Sequence, residues 1–136
     1  MAKEKNCPFC NPHEDEHQQI VLENASCFFL QHNFEQDVLE GSGVIVPKAH
    51  RVDTFELTPE EWRDTYELLH EAKAFLDAKY APDGYTLGWN VGPASNQSIL
   101  HSHFHILPRY NDEPHAGKGL RHWLKQPENK RVKTRS

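Results

Sequence analysis

The most distinctive stretch of this sequence is 100–108, in which histidine occupies every second position three times in succession. Alternate side chains of a β-strand point to the same face, so the pattern predicts a row of three imidazoles. The three are His101, His103 and His105. The interleaved Phe104 and Ile106 are expected to face a core. Imidazole can bind a metal, carry a proton or act as a nucleophile, and three buried without function would be costly, so we interpret the row as a functional site.

Cys7-Pro8-Phe9-Cys10 is a second chemically suggestive spacing. A single Cys-x-x-Cys occurs as half of a zinc site, as a redox pair or by coincidence. A redox pair usually opens a helix that follows a strand, and no strand pattern precedes Cys7. Zinc is therefore the favoured interpretation. Because a structural zinc site has about four nitrogen or sulfur ligands, two more would come from elsewhere in the chain, where histidines are available.

The composition is that of a small globular protein with little electrostatic bias. The 136 residues are 37% hydrophobic and carry a net charge of −5, from 15 basic and 20 acidic residues. This length suits a single core, and the charge argues against nucleic acid as the partner. Seven Lys or Arg residues lie between Gly117 and Ser136. We interpret them as a mostly solvated end, with Lys118 and Arg121 left open as phosphate contacts.

No apolar run approaches the roughly 18 residues of a membrane span, and no apolar segment of a secretory signal follows Met1. The three cysteines, Cys7, Cys10 and Cys27, fit a reducing compartment better than a disulfide framework. We therefore expect a cytoplasmic protein without a membrane partner.

Hydrophobic periodicity predicts several strands and one long helix. Short apolar runs predict strands at 20–22, 27–30, 43–46 and 85–90, followed by the histidine strand, which is expected to end at Pro108. Thr58 as N-cap, Pro59 at the first helical position and Glu61 in a capping box predict a helix start. Spacings of three and four predict that this helix runs to about residue 79. Its expected buried face comprises Trp62, Thr65, Leu68, Leu69, Ala72, Phe75 and Leu76. A short amphipathic element is predicted at 119–124.

Residues 101–107 resemble the signature of the histidine triad (HIT) superfamily, His-φ-His-φ-His-φ-φ, in which φ is apolar. Val46-Pro47-Lys48-Ala49-His50 is similar to the strand ending of that family. Asn90 lies eleven residues before His101, as the family's asparagine does, and Gln97 and Ser98 stand where members place phosphate-binding groups. The similarity runs from about 7 to 109. We therefore expect a single HIT domain at 1–136, with a core of about 7–110 and a C-terminal extension at 111–136 whose last residues are flexible.

The resemblance implies an α+β, HIT-like fold: an antiparallel sheet of about five strands with one long helix, and two sheets joined in a homodimer. It also implies a hydrolase or transferase that cleaves a purine nucleotide conjugate, either a dinucleoside polyphosphate or a nucleoside phosphoramidate, at its α-phosphate. His103 would form a covalent nucleotidyl-histidine intermediate. His105 would bond a phosphate oxygen, and His101 would orient the site. The groups that would hold phosphate and ribose oxygens are Asn90, Gln97 and Ser98.

The resemblance also completes the zinc site. Some relatives, such as the galactose-1-phosphate uridylyltransferases, carry a structural zinc, and their pattern implies Cys7, Cys10, His50 and His101 as ligands here. No catalytic metal is required by this interpretation. Two other readings stay open: a catalytic metal held by the three histidines, and a nucleotide-binding or zinc-stabilised interaction module with little turnover.

The sequence departs from the family pattern at two places. Ser102 is polar where the signature has an apolar residue, so we expect it to lie near an edge of the sheet. Gly41-Ser42-Gly43 stands where many members have Gly-His, which weakens assignment to the phosphoramidate-cleaving branch. Pro108-Arg109 is somewhat similar to the branch that cleaves dinucleoside polyphosphates.

Overall fold

Five strands, paired antiparallel throughout, form the sheet of this protein, for which the computed structural model describes residues 3–133. In chain order they are β1 (Gln18–Glu23), β2 (Cys27–His32), β3 (Gly43–Pro47), β4 (Gly84–Trp89) and β5 (Phe104–Arg109). Their spatial order is β1-β2-β3-β5-β4. The predicted α+β fold with about five strands is confirmed, and β5 lies inside the sheet, paired on both sides.

The long helix α1 (Pro59–Tyr80) begins at the predicted capping box. The Thr58 hydroxyl accepts a hydrogen bond from the Glu61 N–H at 3.1 Å, and the Glu61 carboxylate accepts one from the Thr58 N–H at 2.8 Å. Ala81 ends the helix in the left-handed conformation, with a φ of 47°, while its N–H bonds to the carbonyl of Asp77. These caps satisfy backbone groups that a helix end leaves unpaired.

The main core lies between α1 and one face of the sheet. Phe104 and Ile106 belong to it, as the sequence predicts. At the start of β3, Gly43 allows the strands to approach closely, because a Cβ there would lie 2.6 Å from the ring of Phe29. The buried members of this core are Cys27, Phe29, Ile45, Leu68, Ala72, Leu76, Phe104 and Ile106. Burial of each large apolar side chain stabilises the fold by about 1.5–3 kcal/mol.

The predicted buried face of α1 is wrong at its first position. Trp62 is 45% exposed and packs edge-on against Trp89, whereas the neighbouring Glu61 is 6% exposed. Glu61 turns inward because its carboxylate accepts hydrogen bonds from the Arg51 guanidinium at 3.0 and 3.2 Å, in addition to its capping bond. A specific ion pair therefore overrides the hydrophobic periodicity in the first turn.

The histidine stretch is only partly a strand. β5 begins at Phe104, so His101 and His103 precede it, and the prediction that three histidines share one face of one strand is wrong. The chain before β5 bonds to other partners, since the Ser102 N–H donates to the Arg51 carbonyl at 2.7 Å.

The predicted strand end at Pro108 is also wrong, because β5 continues through Pro108, which pairs with Tyr85 of β4. Pairing with β3 stops at Ile106, so the missing N–H of Pro108 removes no hydrogen bond on that side.

The C-terminal extension is fastened to the sheet by Arg109. Its guanidinium donates hydrogen bonds to the carboxylate of Glu113 and to the carbonyls of His115 and Lys118, at 2.8–3.0 Å. The predicted short amphipathic element forms the helix α2 (Leu120–Leu124). The expected flexibility of the last residues falls on 134–136, which lie outside the described residues, and the division of the chain into core and extension stays a prediction.

Replacing Glu61 with Gln tests the buried ion pair. We expect E61Q to lower the free energy of unfolding near neutral pH by about 2 kcal/mol, because the Arg51 charge loses its buried partner. Burial raises the pKa of Glu61, but hydrogen bonds from Arg51 and from the Thr58 N–H outweigh it and hold that pKa below its ordinary value. A lowered folded-state pKa stabilises the protein above the unfolded-state pKa, and that contribution disappears as the pH falls through the folded-state value.

Denaturant titrations at about pH 7 and about pH 3 measure this effect. The difference between E61Q and the wild type should shrink at the lower pH. Glu60→Gln is the matched control, because its side chain is 72% exposed on the same helical turn, and it should change stability little at either pH. A stability difference for E61Q that is equal at both pH values would contradict the ion-pair account.

Candidate active site

Two cysteines and two histidines meet beside the histidine stretch. The ligand atoms of Cys7, Cys10, His50 and His101 all lie within 4.8 Å of one another. The Sγ atom of Cys10 is 3.2 Å from Nδ1 of His50 and 3.4 Å from Nδ1 of His101, and the Sγ atom of Cys7 is 3.3 Å from the same His101 nitrogen. The structure therefore brings together all four residues that the sequence implied, in a group that could hold a metal ion.

His101 is oriented for such a role. Its Nε2 lies 2.8 Å from the carbonyl oxygen of Pro47, so Nε2–H donates and the Nδ1 lone pair faces the two sulfur atoms. Burial lowers the pKa of His101 to about 4, which keeps the ring neutral. Burial also raises the pKa of the Cys10 thiol, and a bound cation would counter this by favouring the thiolate. A backbone carbonyl that fixes the second ring nitrogen is the usual support of a metal-binding histidine.

One ring nitrogen of His103 has no hydrogen-bond partner among residues 3–133. Its Nδ1 donates to the carbonyl of His101 at 2.8 Å, which leaves the lone pair on Nε2. The ring packs between Phe9, with centroids 5.1 Å apart, and His105, with centroids 4.8 Å apart. Burial lowers the pKa of His103, so the imidazole is neutral near neutral pH. A neutral, fixed imidazole with an available Nε2 can act as a nucleophile.

His105 lies beside the His103 ring, and Asn90 lies beside His105. The Nδ2 atom of Asn90 lies 3.5 Å from Nε2 of His105. Burial lowers the pKa of His105, and repulsion from His103 adds to the effect. Three of the sequence-predicted site residues thus form a series of contacts, from His103 to His105 to Asn90.

Gln97 and Ser98 differ in their availability to a ligand. Both polar atoms of the Gln97 side chain are hydrogen-bonded within the protein. Oε1 accepts from the Gly92 N–H at 3.0 Å, and Nε2 donates to the carbonyls of Val52 at 2.6 Å and Ile99 at 3.1 Å. It fastens the loop before the histidines to the segment before α1. Ser98 is exposed and borders the cavity described next. Contact of either side chain with phosphate stays a prediction.

A cavity of about 310 Å³ opens onto His103 and His105. Its other walls come from parts of the chain that sequence reasoning missed, including the Cys7–Cys10 loop through Phe9. Asp15, His32 and Glu35 also line it, and Asp15 Oδ2 is 2.9 Å from His32 Nε2. Alternation along β2, which places Leu30 and His32 on the same face, is the sequence signal that could have found His32. The lining residues are Pro8, Phe9, Asp15, Gln18, Leu30, His32, Glu35, Gly43, Val44, Ser98, Ile99, His103 and His105.

Ser102 is not near an edge of the sheet, so that prediction is wrong. It is 2% exposed, because the segment around Arg51 covers it and binds its N–H. Its hydroxyl has no hydrogen-bond partner among the described residues. The polar residue in an apolar position of the signature is therefore enclosed rather than solvated.

The reading of the three histidines as one catalytic metal site does not agree with the geometry. Of the three, only His101 belongs to the group that could hold a metal, and Nδ1 of His103 is occupied by a backbone carbonyl. The histidines are therefore divided between two tasks: His101 faces the cysteines, whereas His103 and His105 face the cavity.

Known proteins share both this sequence pattern and this fold. Residues 14–112 match the family model described as HIT domain. The chain is 26% identical over 116 residues to the protein hit of Bacillus subtilis (strain 168). These aligned residues cover 78% of this chain and 72% of that protein. It is 29% identical over 89 residues to the adenosine 5'-monophosphoramidase hnt1 of Schizosaccharomyces pombe, covering 65% of this chain and 64% of that protein.

A third relative is the bis(5'-adenosyl)-triphosphatase of Saccharomyces cerevisiae, 32% identical over 74 residues, which span 54% of this chain and 36% of that protein. Among solved structures, a HIT family protein from Bacillus anthracis has a TM-score of 0.70 at 28% identity, covering 79% of this chain and 76% of that one. A Zn-bound histidine triad family protein from Mycobacterium smegmatis has a TM-score of 0.66 at 23% identity, covering 80% and 78%, which is a likeness of fold.

Replacing Cys7 and Cys10 together with Ser tests the metal-binding group. We expect the double variant to lose the bound metal, because two of four ligands are removed, and to melt at a lower temperature, because metal binding contributes to folding. Elemental analysis after dialysis measures the metal per chain. Cys27→Ser is the matched control, since Cys27 is a fully buried thiol in the separate core between α1 and the sheet. Equal metal content in the double variant and the wild type would contradict the assignment.

Proposed function

Since this chain belongs to the HIT domain family, we propose that it cleaves a purine nucleotide conjugate at the α-phosphate through a covalent nucleotidyl-histidine intermediate on His103. The family and its hydrolase relatives support a nucleotidyl hydrolase or transferase. The observation that carries the covalent route is the bond from His103 Nδ1 to the His101 carbonyl at 2.8 Å. This bond leaves Nε2 as the free nucleophilic atom of a ring that borders the cavity.

The reaction proceeds in two displacements. Nε2 of neutral His103 attacks the α-phosphorus, the bond between phosphorus and the leaving group breaks, and an amine leaving group takes up one proton from solvent as it departs. Water then attacks the same phosphorus and expels the neutral imidazole. The attacking water releases a proton to solvent. The His101 carbonyl accepts from Nδ1–H and so stabilises the positive charge that develops on the His103 ring during each attack. In this proposal His105 and Asn90, whose Nε2 and Nδ2 atoms lie 3.5 Å apart, bond phosphate oxygens during both steps.

The charge of the cavity favours a phosphoramidate over a dinucleoside polyphosphate. Asp15 and Glu35 are carboxylates in its lining, whereas none of the residues 3–133 that line it is Lys or Arg. A polyphosphate leaving group would bring further negative charge toward those carboxylates, while an amine leaving group would not. We therefore propose a nucleoside phosphoramidate as the better substrate, although Gly41-Ser42-Gly43 departs from that branch's pattern.

We propose zinc as the metal of the Cys7, Cys10, His50 and His101 group. In a tetrahedral site with Zn–S of about 2.3 Å and Zn–N of about 2.0 Å, sulfur and nitrogen ligands lie about 3.5 Å apart. Three of the four sulfur–nitrogen pairs here are 3.2–3.4 Å apart, which is slightly shorter. Bound zinc would link the Cys7–Cys10 loop to the chain that carries His103. It would be structural, because all four positions of a closed tetrahedral site would be filled by protein.

We propose a homodimer formed through β4. This strand is an edge of the sheet, and an unpaired edge is a template for another strand. We define an exposed apolar strip by Leu87 (39% exposed) on β4, by Trp62 (45%), which contacts Trp89 of β4, and by Tyr66 (62%), one helical turn after Trp62. Pairing of two β4 strands would join two sheets into one and cover this strip.

No helix within residues 3–133 combines the length and the apolarity needed to cross a membrane. Cys7, Cys10 and Cys27 form no disulfide within the described residues. The cytoplasmic location stays a prediction, as does the absence of a nucleic-acid partner.

Replacing His103 with Asn tests the covalent mechanism. We expect turnover to fall by about 10³-fold or more, because the nucleophile is gone. Nucleotide affinity should change only a few-fold. Intact-protein mass after a rapid acid-free quench, with product counted in parallel, detects the adduct on a panel of adenosine and guanosine phosphoramidates and dinucleoside polyphosphates.

His70→Asn, an exposed histidine on α1, is the matched control and should behave as the wild type. An adduct that persists on H103N would contradict the choice of nucleophile. Neither adduct nor product on the wild type, with nucleotide still bound, would favour the binding-module reading. Faster turnover of polyphosphates than of phosphoramidates would overturn the charge argument.

Replacing Leu87 with Lys tests the dimer. We expect L87K to shift the protein toward monomer, because two like charges would face each other across the paired edges. Light scattering coupled to size-exclusion chromatography measures the mass over a range of concentrations. Val38→Lys, at a residue 85% exposed outside the sheet, should leave the mass unchanged. A monomeric wild type, or an L87K variant that still has the dimer mass, would contradict an interface through β4.

A further inference from the structure

Phe9 connects the metal-binding group with the proposed nucleophile. It lies between Cys7 and Cys10 and is 6% exposed. Its ring meets His103 with centroids 5.1 Å apart and planes tilted by 53°, and it meets His101 edge-on at 5.8 Å. It is also part of the cavity wall. One aromatic side chain of the cysteine loop therefore touches both the histidine that faces the cysteines and the histidine that faces the cavity.

The loop that carries Phe9 is held in place by its own hydrogen bonds. The side-chain amide of Asn11 donates to the carbonyls of Glu4, Lys5 and Cys7 at 2.8–3.1 Å. The Cys10 N–H donates to the Cys7 sulfur at 3.4 Å. On its inner side, Phe9 joins a second buried cluster with Leu30 and Val46. The Phe9 ring is thus anchored before any ligand enters the cavity.

His103 needs such support. Its bond from Nδ1 to the His101 carbonyl fixes one ring atom but does not by itself prevent the ring from swinging about that contact. Phe9 packs on the ring at 5.1 Å and His105 at 4.8 Å, so two neighbouring rings restrict its plane. Misplacement of a reacting atom by about 1 Å can cost about 10²-fold in rate.

We propose that Phe9 is a positioning residue for His103 and that the Cys7–Cys10 loop holds it against the nucleophile. The inference rests on the proposed function of His103 as the nucleophile. It assigns the cysteine loop a part in reactivity in addition to fold stability. It also separates two connections between the metal group and His103, one through the carbonyl of His101 and one through the ring of Phe9.

Phe9→Leu and Phe9→Met test the proposal, because both keep much of the apolar volume but lack a planar ring. We expect the single-turnover rate of adduct formation to fall by about 10- to 100-fold, with the dissociation constant of nucleoside monophosphate changed less than about threefold. Phe9→Tyr keeps the ring and should recover most of the rate. The test uses both Phe9→Leu and Phe9→Met, so it can still be carried out if one of these variants does not fold.

Phe28→Leu is the matched control. Phe28 packs against the same buried cluster as Phe9, and none of its aromatic or cation contacts in the described residues involves a site histidine. It should lower the melting temperature while leaving the rate of adduct formation unchanged. If Phe9→Leu lowers the rate no more than Phe28→Leu does, Phe9 is only a packing residue and the proposal fails. The proposal also fails if nucleotide affinity falls by about 10- to 100-fold while the rate constant for adduct formation stays constant. Phe9 would then only form part of the cavity wall.

A second readout is independent of turnover. Imidazole nitrogen–proton NMR correlations, assigned by their loss in His103→Asn, report the tautomer and the ordering of the His103 ring. We expect one sharp Nδ1–H tautomer in the wild type, and exchange broadening in Phe9→Leu but not in Phe28→Leu. An unchanged His103 signal in Phe9→Leu overturns the positioning role. Absence of both adduct and product on the wild type, with the His103 signal sensitive to Phe9, would instead count against the proposed function alone.

Discussion

The packing of His101 is the constraint on which the site depends. This fully buried ring faces the sulfur atoms of Cys7 and Cys10 with one nitrogen and the carbonyl of Pro47 with the other. Its own carbonyl accepts the hydrogen bond that orients His103. One residue thereby joins the N-terminal loop, the end of β3 and the proposed nucleophile. A buried polar ring is tolerated only if its nitrogens have partners, and here they come from separate segments.

Burial also sets the protonation of the site. The pKa values of His101, His103 and His105 are all lowered, chiefly because desolvation penalises the imidazolium form. Neutral rings suit both proposed tasks, since a metal ligand and a nucleophile each need a lone pair. The same enclosure leaves the Ser102 hydroxyl without a hydrogen-bond partner among residues 3–133, which is a cost of packing this segment so tightly.

Sequence reasoning succeeded where local chemistry decides the structure. The capping box of Thr58 and Glu61 and the apolar strand runs depend on near neighbours, and all are confirmed. It failed where a residue that is distant in the sequence supplies the hydrogen-bond partner. Glu61 turns inward because Arg51 reaches it from another segment, and β5 starts late because that same segment binds the Ser102 N–H. Hydrophobic periodicity contains no information about either partner.

The sequence by itself determined the family of this protein: the histidine row, the Cys-x-x-Cys and the resemblance they carry were enough to identify it and to choose the four residues that could hold a metal ion. Only the tertiary structure decided how the histidines are divided, with one turned to the cysteines and two to a cavity. It also placed Phe9 on His103 and lined the cavity with Asp15 and Glu35. The physical reason is that these contacts join residues far apart in the chain, so they are set by how β2, β5 and the N-terminal loop pack together.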